Sequence, residues 1–529
     1  MKRFAKTKGL LYGLGLAMLA GGPTLAHELG DPGGPVCLEG NYMLADAQYA
    51  PFAAAGPGRV LEMNITTGER GITVNNPFNP ANVGTPICPD TVTCATGATW
   101  KPTGVASGGV NGHPFIVGEA QGTLTEFHRD GTPIRTIKFP TRPVGDAFGN
   151  VPRPLGAQFL PNGNFVQTVC DTNFNDAPNS DPILDSSGVP IPGSNSSSLY
   201  FPPTYDTDAR ASNSRLLVID QETLEVIDEY SRPAPGELGH DLWNCMADVA
   251  VTGEGMFMSL FHGAAVLVID WKAGVDNEKS EGIGANRKDK DDDDADDAVE
   301  AFELGKPKNR AKVIRVIDLL EDGDPSTPPI AANDPMRRDA LRAITFDESG
   351  ALYAAFRKRS RPCLRGEIPG TPGGCNPGVF RQHVAVVPPG MNYPTRTIGL
   401  DPGVNVVAGI RTNRISGVAC ANINPGHTDP DACDVETLLI SASAFNPGCA
   451  VTTGPAPNPC FVPGGGVGEY LIDPAHADNP ATCTGDPLGV NTGCAQPVAT
   501  FKIRNPQITG PADKLDPRML MTIHEAFIQ

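Results

Sequence analysis

Short runs in which apolar and polar residues alternate recur along this chain, separated by turns rich in glycine and proline. Residues 155–169 (LGAQFLPNGNFVQTV), 248–261 (DVAVTGEGMFMSLF) and 343–356 (AITFDESGALYAAF) follow one plan. A short apolar strand meets a turn ending in Gly163, Gly255 or Gly350, and a second strand follows. Glycine there is expected to supply the positive φ of a tight hairpin. A second kind of hairpin follows each of these. It is seen at residues 59–74, 122–139 and 215–230, at 265–271 with 312–319, at 383–388 with 395–400, and at 469–473 with 498–503.

Paired hairpins repeated in this way predict four-stranded blades around an axis, a β-propeller. The fold class expected is therefore all-β, a six-bladed β-propeller. Seven blades is the main alternative, because residues 171–212 are long enough to hold further strands. The chain finishes in PRMLMTIHEAFIQ, and residues 518–527 read as a strand that joins the first blade and closes the ring. Closure removes the open sheet edge that would otherwise template aggregation. No fixed short period is visible, which argues against a parallel β-helix.

The first residues, MKRFAKTKGLLYGLGLAMLAGGPTLA, place Lys2, Arg3, Lys6 and Lys8 before a short apolar run, with Thr24 and Ala26 as small residues at its end. This is the layout of a cleavable secretory signal spanning residues 1–26. A single propeller domain is expected over 27–529, without a membrane anchor after cleavage, in the periplasm or outside the cell. The cysteines point the same way. There are 13, and ten fall in near neighbours: Cys88/Cys94, Cys363/Cys375, Cys420/Cys433, Cys449/Cys460 and Cys483/Cys494. Local pairs in an exported chain read as disulfides that pin loops. Cys170 and Cys245 are candidates to pair across neighbouring blades, leaving Cys37 odd. With neither CxxC nor CxxCH, thioredoxin, zinc-ribbon and covalent haem c readings lack support.

Charge narrows the partners. Taking the four basic residues of the signal from 41 leaves 37 against 60 acidic ones, a formal charge of −23. That balance disfavours nucleic acid and anionic membranes. The run RKDKDDDDADD at 287–297 lacks the central glycine of a calcium loop and reads as part of a solvated, disordered insertion at about 273–311.

The stretches AITFDESGALYAAF and RLLVIDQETLEVIDEY resemble the broad NHL, YVTN and gluconolactonase-like group of β-propellers. The resemblance implies a propeller belonging to a group of binding scaffolds, calcium-dependent lactonases and lyases. It carries no catalytic residue across to this chain.

Ligands of propellers sit at the channel mouth, on loops that lead into the inner strands. Those loops carry Arg153, His240, Asp241, Arg338 with Asp339, Arg414 and Arg518. Guanidinium forks suit carboxylates and phosphates, although each arginine can equally pair with an acid of this acidic chain. The leading expectation is thus an exported binding protein for a small anionic ligand, glycan or protein. The alternatives are a calcium-dependent lactonase- or lyase-like enzyme using Asp146, Asp241, Asp248 and Asp339, or a copper oxidoreductase using His113, His240, His262 and His383. Cleavage after Ala26 would also leave His27 with a free amine, a pair able to chelate copper. Phosphate-loop, HExxH and GxSxG motifs are absent, so no nucleotide is expected.

Overall fold

The computed structural model describes residues 41–47, 59–64, 73–75, 102–107, 113–118, 122–127, 133–139, 153–160, 164–170, 214–243, 246–260, 264–270, 309–320, 323, 341–359, 380–401, 403–416, 420, 429, 433–446, 465–471, 495, 497, 499–501 and 517–522. The signal segment, most of the acidic insertion and most cysteines lie outside these residues.

Four strands, β1 (Asn41–Asp46), β2 (Arg59–Asn64), β3 (Thr73–Asn75) and the last strand of the chain, β25 (Pro517–Thr522), make one sheet in the order β25-β1-β2-β3. The next sheet runs β4 (Pro102–Ser107), β5 (Pro114–Gly118), β6 (Thr123–Phe127) and β7 (Pro133–Lys138). A third contains β8 (Arg153–Phe159), β9 (Phe165–Cys170), β10 (Ser214–Ile219), β11 (Val226–Ser231) and, at its edge, β15 (Asn309–Arg310). Then come β12 (Met246–Val251), β13 (Met256–Leu260), β14 (Ala265–Ile269) and β16 (Val313–Asp318). The fifth sheet is β17 (Leu341–Phe346), β18 (Leu352–Arg359), β19 (Phe380–Val387) and β20 (Arg396–Gly399). The last is β21 (Val404–Ser416), β22 (Asp434–Phe445), β23 (Gly466–Leu471) and β24 (Ala499–Phe501).

The all-β propeller expectation holds, but its count of six blades, or seven, is corrected. Five of the sheets are four-stranded antiparallel blades. The sheet β15-β11-β10-β9-β8 departs from the blade pattern: β15 pairs in parallel with β11, Tyr230 opposite Asn309 and Ser231 opposite Arg310. A parallel pair needs a long crossover. Here the crossover is the chain between β11 and β15, which includes β12 to β14, so a strand from a later insertion returns to an earlier sheet. Residues 272–311 read as loop alone, and a two-residue pairing at Asn309 and Arg310 leaves no alternation to detect.

The sheets stack face to face, and their period-2 alternation sends successive side chains into different cores. On β13, Met256 and Met258 join the cluster with Leu216, Trp243 and Leu267 toward the β8–β11 side. Phe257, between them, packs with Val266, Ile344 and Phe356 toward the β17–β20 side. Strands β6, β13, β14 and β23 are buried along their whole length because both faces are covered. Edge-to-face rings tighten two seams: Phe115 on Phe159 at 5.5 Å and Phe257 on Phe346 at 4.8 Å.

Two of the turn glycines have distinct reasons. Gly350 adopts φ 81°, and Asp347 organises that turn by accepting from the amides of Ser349 and Ala351. Gly255 has no positive φ. A Cβ there would lie 2.9 Å from the Ile269 carbonyl oxygen, so close strand approach demands the glycine. Gly163 lies outside the described residues.

Candidate functional site

Strands from successive sheets pack beside one another: β25 by β4, β4 by β8, β8 by β12, β12 by β17, β17 by β21, and β21 by β25. They run in a common direction. Gly156 of β8 is level with Asp248 of β12, Asp248 with Ile344 of β17, and Thr412 of β21 with Phe346 at the end of β17. The ring therefore has a start face, where these strands begin, and a far face, where they finish.

Arg153 opens β8, and Arg518 is the second residue of β25, so both backbones lie at the start face. His240 and Asp241 form a 3-10 turn shortly before β12, at the same face. Arg414 does not join them. It is near the end of β21, opposite Glu436 and past the Thr412–Phe346 level, and so belongs to the far face. Arg338 lies outside the described residues. In the 3-10 turn, the Arg232 Nε donates to the His240 carbonyl at 2.8 Å, while His240 Nδ1 lies 2.9 Å from Asp241 Oδ1 and 3.2 Å from Arg232 Nη2. A neutral Nδ1 accepts from Arg232, whereas a protonated Nδ1 donates to Asp241, so one nitrogen serves two opposed partners.

Between the inner strands runs a belt of side chains bonded to a neighbouring sheet's backbone. The Thr103 hydroxyl donates to the Pro154 carbonyl at 3.4 Å and that of Thr168 to Met246 at 3.0 Å. The Thr412 hydroxyl reaches Phe346 at 3.0 Å. The Asp248 carboxylate accepts from Val249 N at 2.9 Å and Ile344 N at 3.1 Å, and lies 3.8 Å from Arg411 Nη1. Arg411 Nη1 also donates to the carbonyls of Ile344 at 3.0 Å and Ile410 at 2.7 Å. Asp248 is 2% exposed and Arg411 8%, so this is a buried ion pair tying β12 and β21 to β17. Sequence reading singled out Asp248 as a cation ligand and missed Arg411. The signal for Arg411 was there: one arginine inside the apolar run VVAGIRT needs an acid nearby.

Further polar groups hold the sheets together away from the axis. Glu126 accepts from Arg135 Nε at 2.5 Å and lies 2.8 Å from His113 Nδ1. Arg135 also donates to the carbonyls of Gln221, at 2.6 Å, and of Glu222 in the turn of the next sheet. Arg215 and Glu229, both buried, pair at 3.3 Å, and Glu469 accepts from Asn413 at 2.9 Å and Thr437 at 2.7 Å. His113, His240 and His383 fall in three different sheets or their connections, and His383 lies against the Phe356 ring at 5.6 Å. His262, Asp146 and Asp339 lie outside the described residues, and Asp241 is largely solvent-facing. Among the described residues no three His, Cys, Asp or Glu side chains are grouped to hold a metal ion.

Cys420 and Cys433 form a disulfide between β21 and β22, with Cα atoms 5.6 Å apart. Cys37, Cys88, Cys94, Cys245, Cys363, Cys375, Cys449, Cys460, Cys483 and Cys494 lie outside the described residues.

The ring of sheets identifies the fold as propeller-like. No protein-family model matches the chain, and no curated protein matches it. Among solved structures it is similar to a protein of unknown function from Bacteroides caccae, at 10% identity over 88% of this chain and 99% of that one, with a TM-score of 0.33. Kuenenia stuttgartiensis hydrazine synthase aligns at 10% identity over 71% of this chain and 64% of that one, TM-score 0.31. Myxococcus xanthus glutaminyl cyclase aligns at 12% identity over 59% and 88%, TM-score 0.24. The NHL, YVTN and gluconolactonase-like group is not among these matches, and its resemblance to this chain stays one of fold.

Proposed function

We propose that this chain is an exported propeller that acts as a ligand-binding scaffold, with its recognition surface at the start face. The observation that carries the reading is the belt. Thr103, Thr168, Asp248, Arg411 and Thr412 are bonded to backbones of neighbouring sheets. Groups held this way stiffen a frame and leave recognition to the connections that lead into the inner strands. Arg153, the Arg232–His240–Asp241 turn and Arg518 belong to those connections or strand starts. Export is supported by the basic-then-apolar first segment and by the Cys420–Cys433 disulfide.

The test is equilibrium binding and turnover on the same purified protein. Saturable binding of an anionic, glycan or protein ligand, with no hydrolysis of lactones in the presence or absence of calcium, is the expected result. Calcium-dependent turnover would replace the scaffold reading with an enzymatic one. N-terminal sequencing of protein recovered from the periplasm or medium should begin near His27, and recovery of an uncleaved cytoplasmic chain would remove the export reading.

A further inference from the structure

In the connection from β11 to β12, one imidazole stands between a guanidinium and a carboxylate, and the backbone that carries it is fixed. Gly239 adopts φ 79°, and a Cβ there would lie 2.9 Å from Val313 Cγ2, so the turn is seated against β16. Arg232 Nε and the Trp243 amide both donate to the His240 carbonyl, at 2.8 and 3.2 Å. The His240 side chain is 14% exposed, enough for solvent protons to reach the ring, and that of Asp241 is 82% exposed. Other charged groups on the elements packed here are engaged elsewhere or lie in solvent. Glu237 accepts from the Ala234 amide at 2.5 Å, Lys312 pairs with Asp270 at 3.5 Å, and Arg310 is exposed. Among the described residues, only Arg232 and Asp241 pair with the ring.

We infer that His240 is a proton-operated switch that exchanges Arg232 for Asp241 at the start face. In the neutral ring with its proton on Nε2, the Nδ1 lone pair accepts from Arg232 Nη2, 3.2 Å away, and repels the Asp241 carboxylate. Asp241 then turns into solvent. A proton taken up at Nδ1 reverses both contacts. The new N–H donates to Asp241 Oδ1, 2.9 Å away, and the Nη2 end of Arg232 is repelled. The bond from Arg232 Nε to the His240 carbonyl serves both states, so the backbone of the turn keeps its shape while the side chains exchange. Protonation thus adds one positive charge to the turn and pairs its exposed carboxylate. Histidine is the side chain whose ordinary charge change falls between about pH 5 and 8. The switch goes beyond the scaffold reading and stands or falls on the turn itself, whether or not that face binds a ligand.

The experiment follows the histidine rings of the purified protein by NMR, with nitrogen-15 label in histidine, from about pH 5 to pH 8. Loss of one set of signals in His240→Gln assigns the ring. The expected result is an Nδ1 that lacks a proton at the upper end of the range and carries one at the lower end. Asp241→Asn should move that transition to lower pH, because the charge that favours the cation is gone. Arg232→Gln should move it to higher pH, because a neighbouring positive charge is gone. Each displacement should be roughly half a pH unit. A merely structural role for these residues does not displace the curve in opposite directions. The Asp241 side chain lies largely in solvent, so Asp241→Asn carries the test even where Arg232→Gln does not fold. A proton on Nδ1 throughout the range, no transition within it, or an Asp241→Asn curve that coincides with the parent's overturns the switch. None of these readings involves a ligand, so a failed switch leaves the scaffold reading standing, and a failed scaffold leaves the switch.

Discussion

Asp248→Ala should be among the most damaging single substitutions at the axis. The carboxylate is buried, accepts from the amides of Val249 and Ile344, and lies 3.8 Å from Arg411. Its removal leaves a buried amide without that acceptor, costing about 1–3 kcal/mol. It also takes one counter-charge from a guanidinium only 8% exposed. Breaking a buried pair from one side typically costs about 3–5 kcal/mol. Arg411 keeps the carbonyls of Ile344 and Ile410, which places the expectation near the lower end, about 3 kcal/mol. Urea unfolding with the disulfides intact measures it, alongside Arg411→Met and the double variant. Because the two residues act as a unit, the double variant should be more stable than the two single losses summed, by about 1 kcal/mol or more. An Asp248→Ala midpoint indistinguishable from the parent, or strict additivity, would refute the belt as a source of rigidity.

Gly156→Ala should destabilise by about 1–3 kcal/mol or more, since a Cβ there would lie 2.7 Å from Asp248 Cα, which is backbone and cannot turn aside. Gly253→Ala, with nothing within 4 Å, should be close to neutral, and thermal melts of the two variants compare them directly. Cys420→Ser/Cys433→Ser opens a crosslink with a sequence separation of 13 and should lower stability by about 3 kcal/mol, read from urea midpoints with and without reductant. Burial first, and Asp401 second, push the Tyr470 phenol above the ordinary tyrosine range, and burial with Asp347 does the same to Tyr353. Their contribution to stability is therefore complete below the unfolded phenol pKa of about 10 and declines as pH rises above it. Ultraviolet titration should show both remaining protonated until the protein unfolds. Early ionisation of all tyrosines would contradict that burial.

The parts of the fold that alternation encodes were legible. The pattern at 155–169, 248–261 and 343–356 marks the hairpins β8–β9, β12–β13 and β17–β18, because each residue's face decides its burial. The terminal segment was legible for the same reason, and β25 does pair with β1. The parallel β15 edge was not, since its pairing is set by where a distant insertion returns. The site was harder. Arg153 and Arg414 both read as residues near inner strands, but β21 is 13 residues long, and its length carries Arg414 to the opposite face. Arg411 and Asp248 are far apart in sequence, and only the ring brings them together. Cross-strand neighbours such as Lys358 and Arg381 depend on register over a long connection, which composition does not specify.

The ring closes because its first and last strands share one sheet, with Leu44 opposite Leu520 and β25 seated between β21 and β4. Removing residues 517–529 and measuring the unfolding midpoint tests that closure. Closure through β25 predicts a large loss of stability with aggregation through the bared edge of β1, and recovery when a synthetic peptide covering 515–525 is added. A truncated protein that melts like the parent, and gains nothing from the peptide, would contradict it.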